Sequence, residues 1–305
     1  MFSDKEYEII DGMPCDFQNL KAKKFEDWEI PPWNLIINKN KLLGEGEFGK
    51  VYLANWHSTE VVAKVINDNV SKETKDLFIK ELDVLTKIHH PNVVQVMGYV
   101  SEPFIIVMEY LPNGELLKYV KNNSLSVSKK IEICLDILKA LTYLHNRKPF
   151  YIIHRDIKPQ NVVMSPSGRA KLADFGISRI LNTNNGLHKS KSNEKMDSPI
   201  KNQDSSELTG FVGSKRYMAP EVSKRLKYDY KIDIWSSGII FAELFENKRY
   251  NKDFFWHKTP KSIRDIITNF MLHITPENRF TAKELIEKFE TIKEERNSSF
   301  CFCLF

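Results

Sequence analysis

Three stretches of the sequence hold residues whose types and spacing could do chemistry. Gly44-Glu45-Gly46-Glu47-Phe48-Gly49 fits G-x-G-x-x-G, a pattern whose missing side chains let backbone N–H groups approach phosphate oxygens. A dinucleotide-binding loop of this kind needs a helix directly after its last glycine. Here Lys50-Val51-Tyr52-Leu53 reads as a strand, so the spacing predicts a hairpin lying over a ligand, with a ligand-free tight hairpin as the alternative. Fifteen residues after Gly49, Lys64 sits in Val62-Ala63-Lys64-Val65. An ammonium leaving an apolar strand needs an anion. Glu81, on the helix expected next, can supply it; an exposed lysine on an edge strand is the plainer alternative. The third stretch is Ile153-His154-Arg155-Asp156-Ile157-Lys158-Pro159-Gln160-Asn161, followed thirteen residues later by Asp174-Phe175-Gly176.

The 305 residues include 45 Lys+Arg against 40 Asp+Glu, a formal net charge of +5. That length allows one large domain or two small lobes with a sizeable core. Hydrophobic residues at 42% and charged residues at 28% exclude a disordered, collagen-like or low-complexity chain. The positive excess is spread out, so no nucleic acid partner is expected. Four cysteines, Cys15, Cys134, Cys301 and Cys303, are too few and scattered for a disulfide scaffold or a paired metal site, and predict a reducing, intracellular and cytoplasmic setting. The first residues lack the basic head and apolar stretch of a signal peptide. The longest apolar run, Gly238 to Phe245 and broken by Glu243, is far short of a membrane span.

Residues 1–34 read as an acidic, solvated lead-in, with eight acids against four lysines in the first thirty positions and Pro31-Pro32 closing them. Val51–Trp56, Val61–Ile66 and Phe104–Met108 are short, β-branched or aromatic, and predict strands. Between them, Ser71 as N-cap and the stripe Leu77, Phe78, Leu82, Leu85 and Ile88 predict a helix. After Pro112-Asn113-Gly114 the pattern turns helical: Ile131, Leu135, Leu138, Leu141 and Leu144 recur at helical spacing, and a second apolar helix is expected at 231–246. Thr259-Pro260 opens a third helix, and Thr281 with Glu284 forms the capping box of a fourth. Residues 182–208, dense in Asn, Ser and Lys, have too few large apolar residues for a core. The fold class is therefore α+β: a strand-rich lobe at 35–110, a helical lobe at 114–292 and a tail at 293–305, with a ligand expected in a cleft between lobes.

Taken together, these stretches resemble the signature set of the eukaryotic protein kinases: glycine loop, strand lysine, H-R-D-x-x-x-x-N, D-F-G and A-P-E. All five occur in order, at Gly44–Val51, Lys64, His154–Asn161, Asp174–Gly176 and Ala219-Pro220-Glu221, and the likeness covers residues 35–292. It implies a bilobal fold that uses ATP and Mg²⁺, with Mn²⁺ as an alternative ion, to phosphorylate protein substrates. Asp156 would be the catalytic base or orienting group and Lys158 would offset phosphoryl charge. Asn161 and Asp174 would offer oxygen ligands to Mg²⁺, a hard cation. Lys64, held by Glu81, would bind the α- and β-phosphates. Around the nucleotide the resemblance places Leu43 to Val51, including Leu43, Glu45, Glu47, Phe48 and Lys50, with Met108 as gatekeeper, the backbone of Glu109 to Leu111 as hinge, and Val51 and Ala63 against the adenine.

Lys158 follows the serine/threonine pattern. Trp28-Glu29-Ile30, Ala54-Asn55-Trp56 and Tyr143–Pro149 are similar to the tyrosine-kinase-like group of serine/threonine kinases, with dual specificity left open. Arg155 beside Asp156 implies switching by activation-loop phosphorylation, with Ser205, Ser206 and Thr209 as candidate sites for an upstream kinase. Ser214 resembles the position contacting Asp156 and Lys158, and Arg279 the arginine pairing with Glu221. The family's extra helix after 246 has little room here, since only Asn247 to Lys258 are available, with Phe254, Phe255 and Trp256 read as core caps or a partner patch. Cysteine is not fourth from the end, so prenylation is not expected; S-acylation of Cys301 or Cys303 stays open. The rival readings are a nucleotide-binding pseudokinase scaffold, opposed by the retained Lys64, Asp156, Asn161 and Asp174, and a small-molecule phosphotransferase, opposed by Ala219-Pro220-Glu221 and Asp233-Ile234-Trp235-Ser236-Ser237-Gly238.

Overall fold

Alternation of apolar residues along the first third of the chain produces an antiparallel sheet. The computed structural model describes residues 8–9, 28–46, 49–67, 82, 86–148, 150–174, 179–182, 214–251 and 254–302, and the chain divides into two units, Met1–Pro112 and Asn113–Phe305. In the first unit β1 (Glu8–Ile9), β2 (Leu35–Gly46), β3 (Gly49–Trp56), β4 (Thr59–Ile66), β5 (Val96–Val100) and β6 (Ile105–Glu109) form one sheet in the order β1-β2-β3-β4-β6-β5. Side chains alternate across a strand. One face therefore buries Leu35, Ile37, Ala54, Val61, Ala63, Val100, Ile105 and Val107 in a common core. Gly46 pairs with Gly49, so the glycine stretch is a hairpin of two strands, as its sequence predicts.

The segment expected to be solvated is partly built into this unit. Tyr99 N donates to Trp28 O at 3.0 Å and Ile30 N donates to Tyr99 O at 2.7 Å. Ile30 is buried in the same core. The reason is Gly98: its φ is +159°, and a Cβ there would stand 2.6 Å from Trp28 O. Only glycine lets this backbone pass so close to β5. Of the helix expected from Ser71, only Leu82 and Thr86 among the described residues are helical, both buried; Ile88, read as the end of its apolar stripe, is buried but not helical.

In the second unit, α1 (Leu116–Asn122), α2 (Val127–Asn146), β7 (Phe150–Ile153), β8 (Val162–Met164), β9 (Ala170–Leu172), β10 (Arg179–Asn182), α3 (Pro220–Ser223), α4 (Lys231–Glu246), α5 (Lys261–Ile266) and α6 (Ala282–Phe302) follow in order. The Ser126 hydroxyl caps α2 by accepting from Lys129 N. The Ile131, Leu135, Leu138, Leu141 and Leu144 stripe is buried along α2. The Thr281–Glu284 capping box forms as predicted: Thr281 N donates to Glu284 Oε2 at 2.7 Å and Glu284 N to Thr281 Oγ1 at 3.3 Å.

One expectation changes here, and another, the short connection after α4, holds. Residues 293–302, read as a tail, continue α6, with Lys293 Nζ 3.1 Å from Glu132 of α2. The connection after α4 holds no helix among its described residues before Lys261. It is pinned instead by Glu246, which is buried and accepts from the amides of His257 at 3.0 Å and Thr259 at 2.9 Å, and from Lys258. Phe254 packs on Tyr250 and Trp256, whereas Phe255 is 63% exposed. No helix among the described residues is long and apolar enough to cross a membrane.

Replacing Gly98 with alanine forces a Cβ onto Trp28 O and Ile30. The variant is expected to lose about 1–3 kcal/mol in urea unfolding, the usual cost of overpacking, whereas Gly44→Ala, with nothing within 4 Å of its Cβ position, should lose less.

Candidate functional site

The buried carboxylate of Asp233, in the first turn of α4, organises the polar loop after β7. Its Oδ2 accepts from His154 N at 2.9 Å and its Oδ1 from Arg155 N at 2.9 Å. Arg155 adopts φ 70°, a left-handed conformation that turns successive amides toward one anion. His145 Nε2 lies 2.9 Å from Oδ2. Burial pushes this carboxyl up. The hydrogen bond and charge of His145, the charge of His154 and the His154 amide outweigh that, and hold it below the ordinary range. His154 itself is fully buried. Its Nε2 sits 3.0 Å from Ala173 O, which can only accept, so Nε2 carries a proton; Nδ1 lies 3.4 Å from Asp156 N.

From this anchor the loop gathers the charged residues singled out in the sequence. Lys158 Nζ donates to Asp156 Oδ2 at 2.6 Å. Asn161 Nδ2 donates to Asp156 O at 2.8 Å and to Asp156 Oδ2 at 2.9 Å, which leaves the amide carbonyl as the atom able to meet a cation. Ala173 N donates to Asn161 O at 2.8 Å, fixing the start of Asp174, whose φ of 61° is also left-handed. Strain of this sort persists only where surrounding bonds impose it. Asn161 and Asp174 supply amide and carboxylate oxygens, a donor set suited to Mg²⁺, which takes few protein ligands and completes its shell with water and phosphate.

A second buried ion pair stands beside α4. Arg279 Nη1 and Nη2 meet Glu221 Oε1 and Oε2 at 2.6 and 2.9 Å. The guanidinium lies 4.9 Å from the Trp235 ring centroid, and Nε donates to His273 O at 2.8 Å. Such a bidentate pair satisfies both planar groups. Ser214 opens a turn ending at Tyr217, whose carbonyl accepts from Ser236 Oγ at 2.7 Å and whose hydroxyl donates to Glu243 at 2.9 Å.

In the first unit, Lys64 is 8% exposed and lies opposite Val51 on β3 and Ile106 on β6. Ala63 requires a correction. It is 0% exposed within the core face, opposite in direction to Lys64, because adjacent residues of a strand point to opposite sides. Val62, two residues from Lys64 and paired with Met108, shares the lysine's face and was missed; the period-2 rule applied to Lys64 would have found it. Glu109 Oε1 accepts from Gln95 N at 2.8 Å, and Leu111 is buried. Gly49, with φ +152°, could carry no Cβ, which would fall 1.9 Å from Val65 O. Leu43 and Lys50 are exposed, with Lys50 3.5 Å from Glu45. Glu47, Phe48, Glu81, Phe175, Gly176, Ser205, Ser206 and Thr209 lie outside the described residues.

A family model described as a protein kinase domain matches residues 37–291. The chain is similar to the serine/threonine-protein kinase VIK of Arabidopsis thaliana, 37% identical over 229 residues, 73% of this chain and 48% of that protein. It is also similar to the probable serine/threonine-protein kinase gdt4 of Dictyostelium discoideum, 35% identical over 233 residues, 73% of this chain and 13% of that one. The serine/threonine-protein kinase CTR1 of Arabidopsis thaliana is 30% identical over 226 residues, 72% of this chain and 25% of that protein. The chain thus spans about half the length, or less, of these relatives.

Because the Asp233 carboxyl is held below its unfolded value, its contribution is complete above the ordinary carboxylate range near pH 4 and fades as pH falls through the folded value. Asp233→Asn should cost about 3 kcal/mol near neutrality, as expected for hydrogen bonds to a buried charge. Its deficit against the parent should shrink in urea titrations as pH is lowered below that range.

Proposed function

The chain belongs to the protein kinase domain family, and on that premise we propose that it transfers the γ-phosphoryl group of ATP to serine and threonine hydroxyls of protein substrates. Its serine/threonine relatives and its catalytic-loop lysine favour that acceptor class, and Trp28–Ile30, Ala54–Trp56 and Tyr143–Pro149 favour the tyrosine-kinase-like group. The observation that carries the reading is the hydrogen-bonded set Asp156, Lys158 and Asn161, tied by His154 and Arg155 to a buried Asp233.

Phosphoryl transfer asks the protein mainly for positioning and charge neutralisation. In this reading Asp156 Oδ accepts the hydrogen bond of the incoming hydroxyl and takes its proton as the new P–O bond forms, while the bond from the γ-phosphorus to the β–γ bridging oxygen breaks and ADP leaves. Asn161 and Lys158 keep that carboxylate in one orientation, and the Lys158 ammonium offsets charge on the phosphoryl oxygens. The Asn161 carbonyl and the Asp174 carboxylate would hold Mg²⁺, which when bound neutralises phosphate charge. In the first unit, the Gly44–Gly49 hairpin and Lys64 receive phosphates, and Val51, Val62 and Met108 offer the apolar face to adenine in place of Ala63. Arg155, exposed at its side chain, would meet a phosphate placed on Ser205, Ser206 or Thr209 by another kinase.

With radiolabelled ATP, Mg²⁺ and a generic protein substrate, Asp156→Asn and Asp174→Ala should each lower turnover by about 10²–10⁴-fold while the proteins melt as the parent does. Equal labelling by parent and variants, or none by the parent, would remove the reading. Mass spectrometry of the active protein should find phosphate within residues 205–209, and alanine at Ser205, Ser206 and Thr209 together should depress activity. Undiminished activity without phosphate would end the switching proposal.

A further inference from the structure

A cavity of about 380 Å³ lies in the second unit, walled by Val120 and Lys121 of α1, Pro159 of the catalytic loop, Glu243 and Leu244 of α4, and Lys248 and Arg249 just beyond it. Its floor is apolar and its charge is one-sided. Lys121, Lys248 and Arg249 are all exposed, and none forms an ion pair with a described carboxylate. Glu243, the one acid in the wall, is turned inward, one oxygen accepting from the Tyr217 hydroxyl and the other from Tyr250 N at 2.9 Å each. Burial pushes its carboxyl up, against the charges of Arg216 and Arg249 and those two hydrogen bonds. It is a poor counterion for three cations.

The two basic residues on the far side are held in place rather than free to swing with a loop. Asn247 ends α4 in a left-handed conformation, φ 54°, and its Oδ1 accepts from Lys130 Nζ at 3.1 Å. Glu246 then ties the returning chain at His257 and Thr259. The short connection, with no helix among its described residues, thus presents Lys248 and Arg249 at the cavity mouth. Part of their placement complements the negative end of the α4 dipole, but that accounts neither for Lys121 on α1 nor for the apolar hollow between them.

Position gives the occupant. Pro159 follows Lys158, and three trans peptides separate it from Asp156, so their Cα atoms are at most about 11 Å apart. A substrate extended across the loop covers that span in about three or four residues. We propose that this cavity is a specificity subsite for an acidic side chain of the protein substrate, lying a few residues from the acceptor hydroxyl. The proposal rests on the kinase reading above. Lys121, Lys248 and Arg249 would meet the substrate carboxylate, while Val120, Leu244 and Pro159 pack its methylenes.

The test reads binding, which does not require transfer. Fluorescent peptides containing one serine would be compared with full-length protein at low and high salt, with aspartate or glutamate scanned through four positions on each side of the serine and alanine peptides as reference. Acid at a subset of positions should tighten binding by about three- to tenfold, the size of one or more partly exposed ion pairs, and the gain should fall as salt rises. The Lys248→Glu, Arg249→Glu variant, altered only at exposed positions, should reverse the preference toward lysine peptides at the same positions. Equal affinity of the parent for acidic and alanine peptides, or an unchanged preference in the charge-reversed variant, would overturn the subsite. Assaying transfer by the same parent protein separates the two claims, since a parent that fails to transfer yet keeps its acid preference would count against the catalytic reading alone, and transfer without acid preference against the subsite alone.

Discussion

A carboxylate sealed from water needs donors on all sides, and the second unit is arranged around one such group. Asp233 sits where α4 begins, and the amides of His154 and Arg155 and the ring of His145 converge on it. An unpaired charge in that position would cost several kcal/mol. Satisfying it dictates the shape of the loop: Arg155 must enter the left-handed region, His154 must turn its ring toward Ala173, and Asp156 emerges with its carboxylate beside Lys158 and Asn161. The electrostatics of one buried group thereby fix the geometry of residues that are themselves partly exposed.

The same helix performs this service along its whole length. Ser236 bonds the carbonyl of Tyr217, Glu243 the hydroxyl of that tyrosine, and Glu246 the amides of the connection leading to α5. Beside it, Arg279 joins Glu221 and stacks on Trp235. Polar groups buried in this way are stable only as complete sets, so the turn at 214–217, the segment around Glu221 and the catalytic loop share one support. Each of these carboxylates is answered by backbone amides or planar side chains, which fix direction as well as charge.

Much of this was legible in the sequence because it obeys local rules. The α2 stripe, the α4 span and the Thr281–Glu284 box follow helical period and capping chemistry, and the G-x-G-x-x-G hairpin follows from a strand after its last glycine. What escaped reading depends on partners distant in sequence. Trp28–Ile30 looked solvated because their acids and prolines are local, while their fit against Gly98 is tertiary. Residues 293–302 continue α6, and the contact at its start, Lys293 on Glu132 of α2, joins residues far apart in the chain. Ala63 was misassigned although local alternation already separated it from Lys64. The motif beginning at Asp233 was legible as a family signature, but its partners were not, since a histidine near a helix end and two loop amides give no local sign that they converge on one carboxylate.

The doubly anchored amides of His154 and Arg155 have a further implication. They belong to a segment with no ladder of helix or strand bonds, the kind of backbone that usually trades its protons with solvent in moments. Here each is closed off by a charged acceptor rooted in α4, and release demands that the helix start itself come away from its surroundings. Exchange at these two positions would therefore follow the opening of the interior, so an irregular stretch near the surface would keep time with the most slowly exchanging part of its unit.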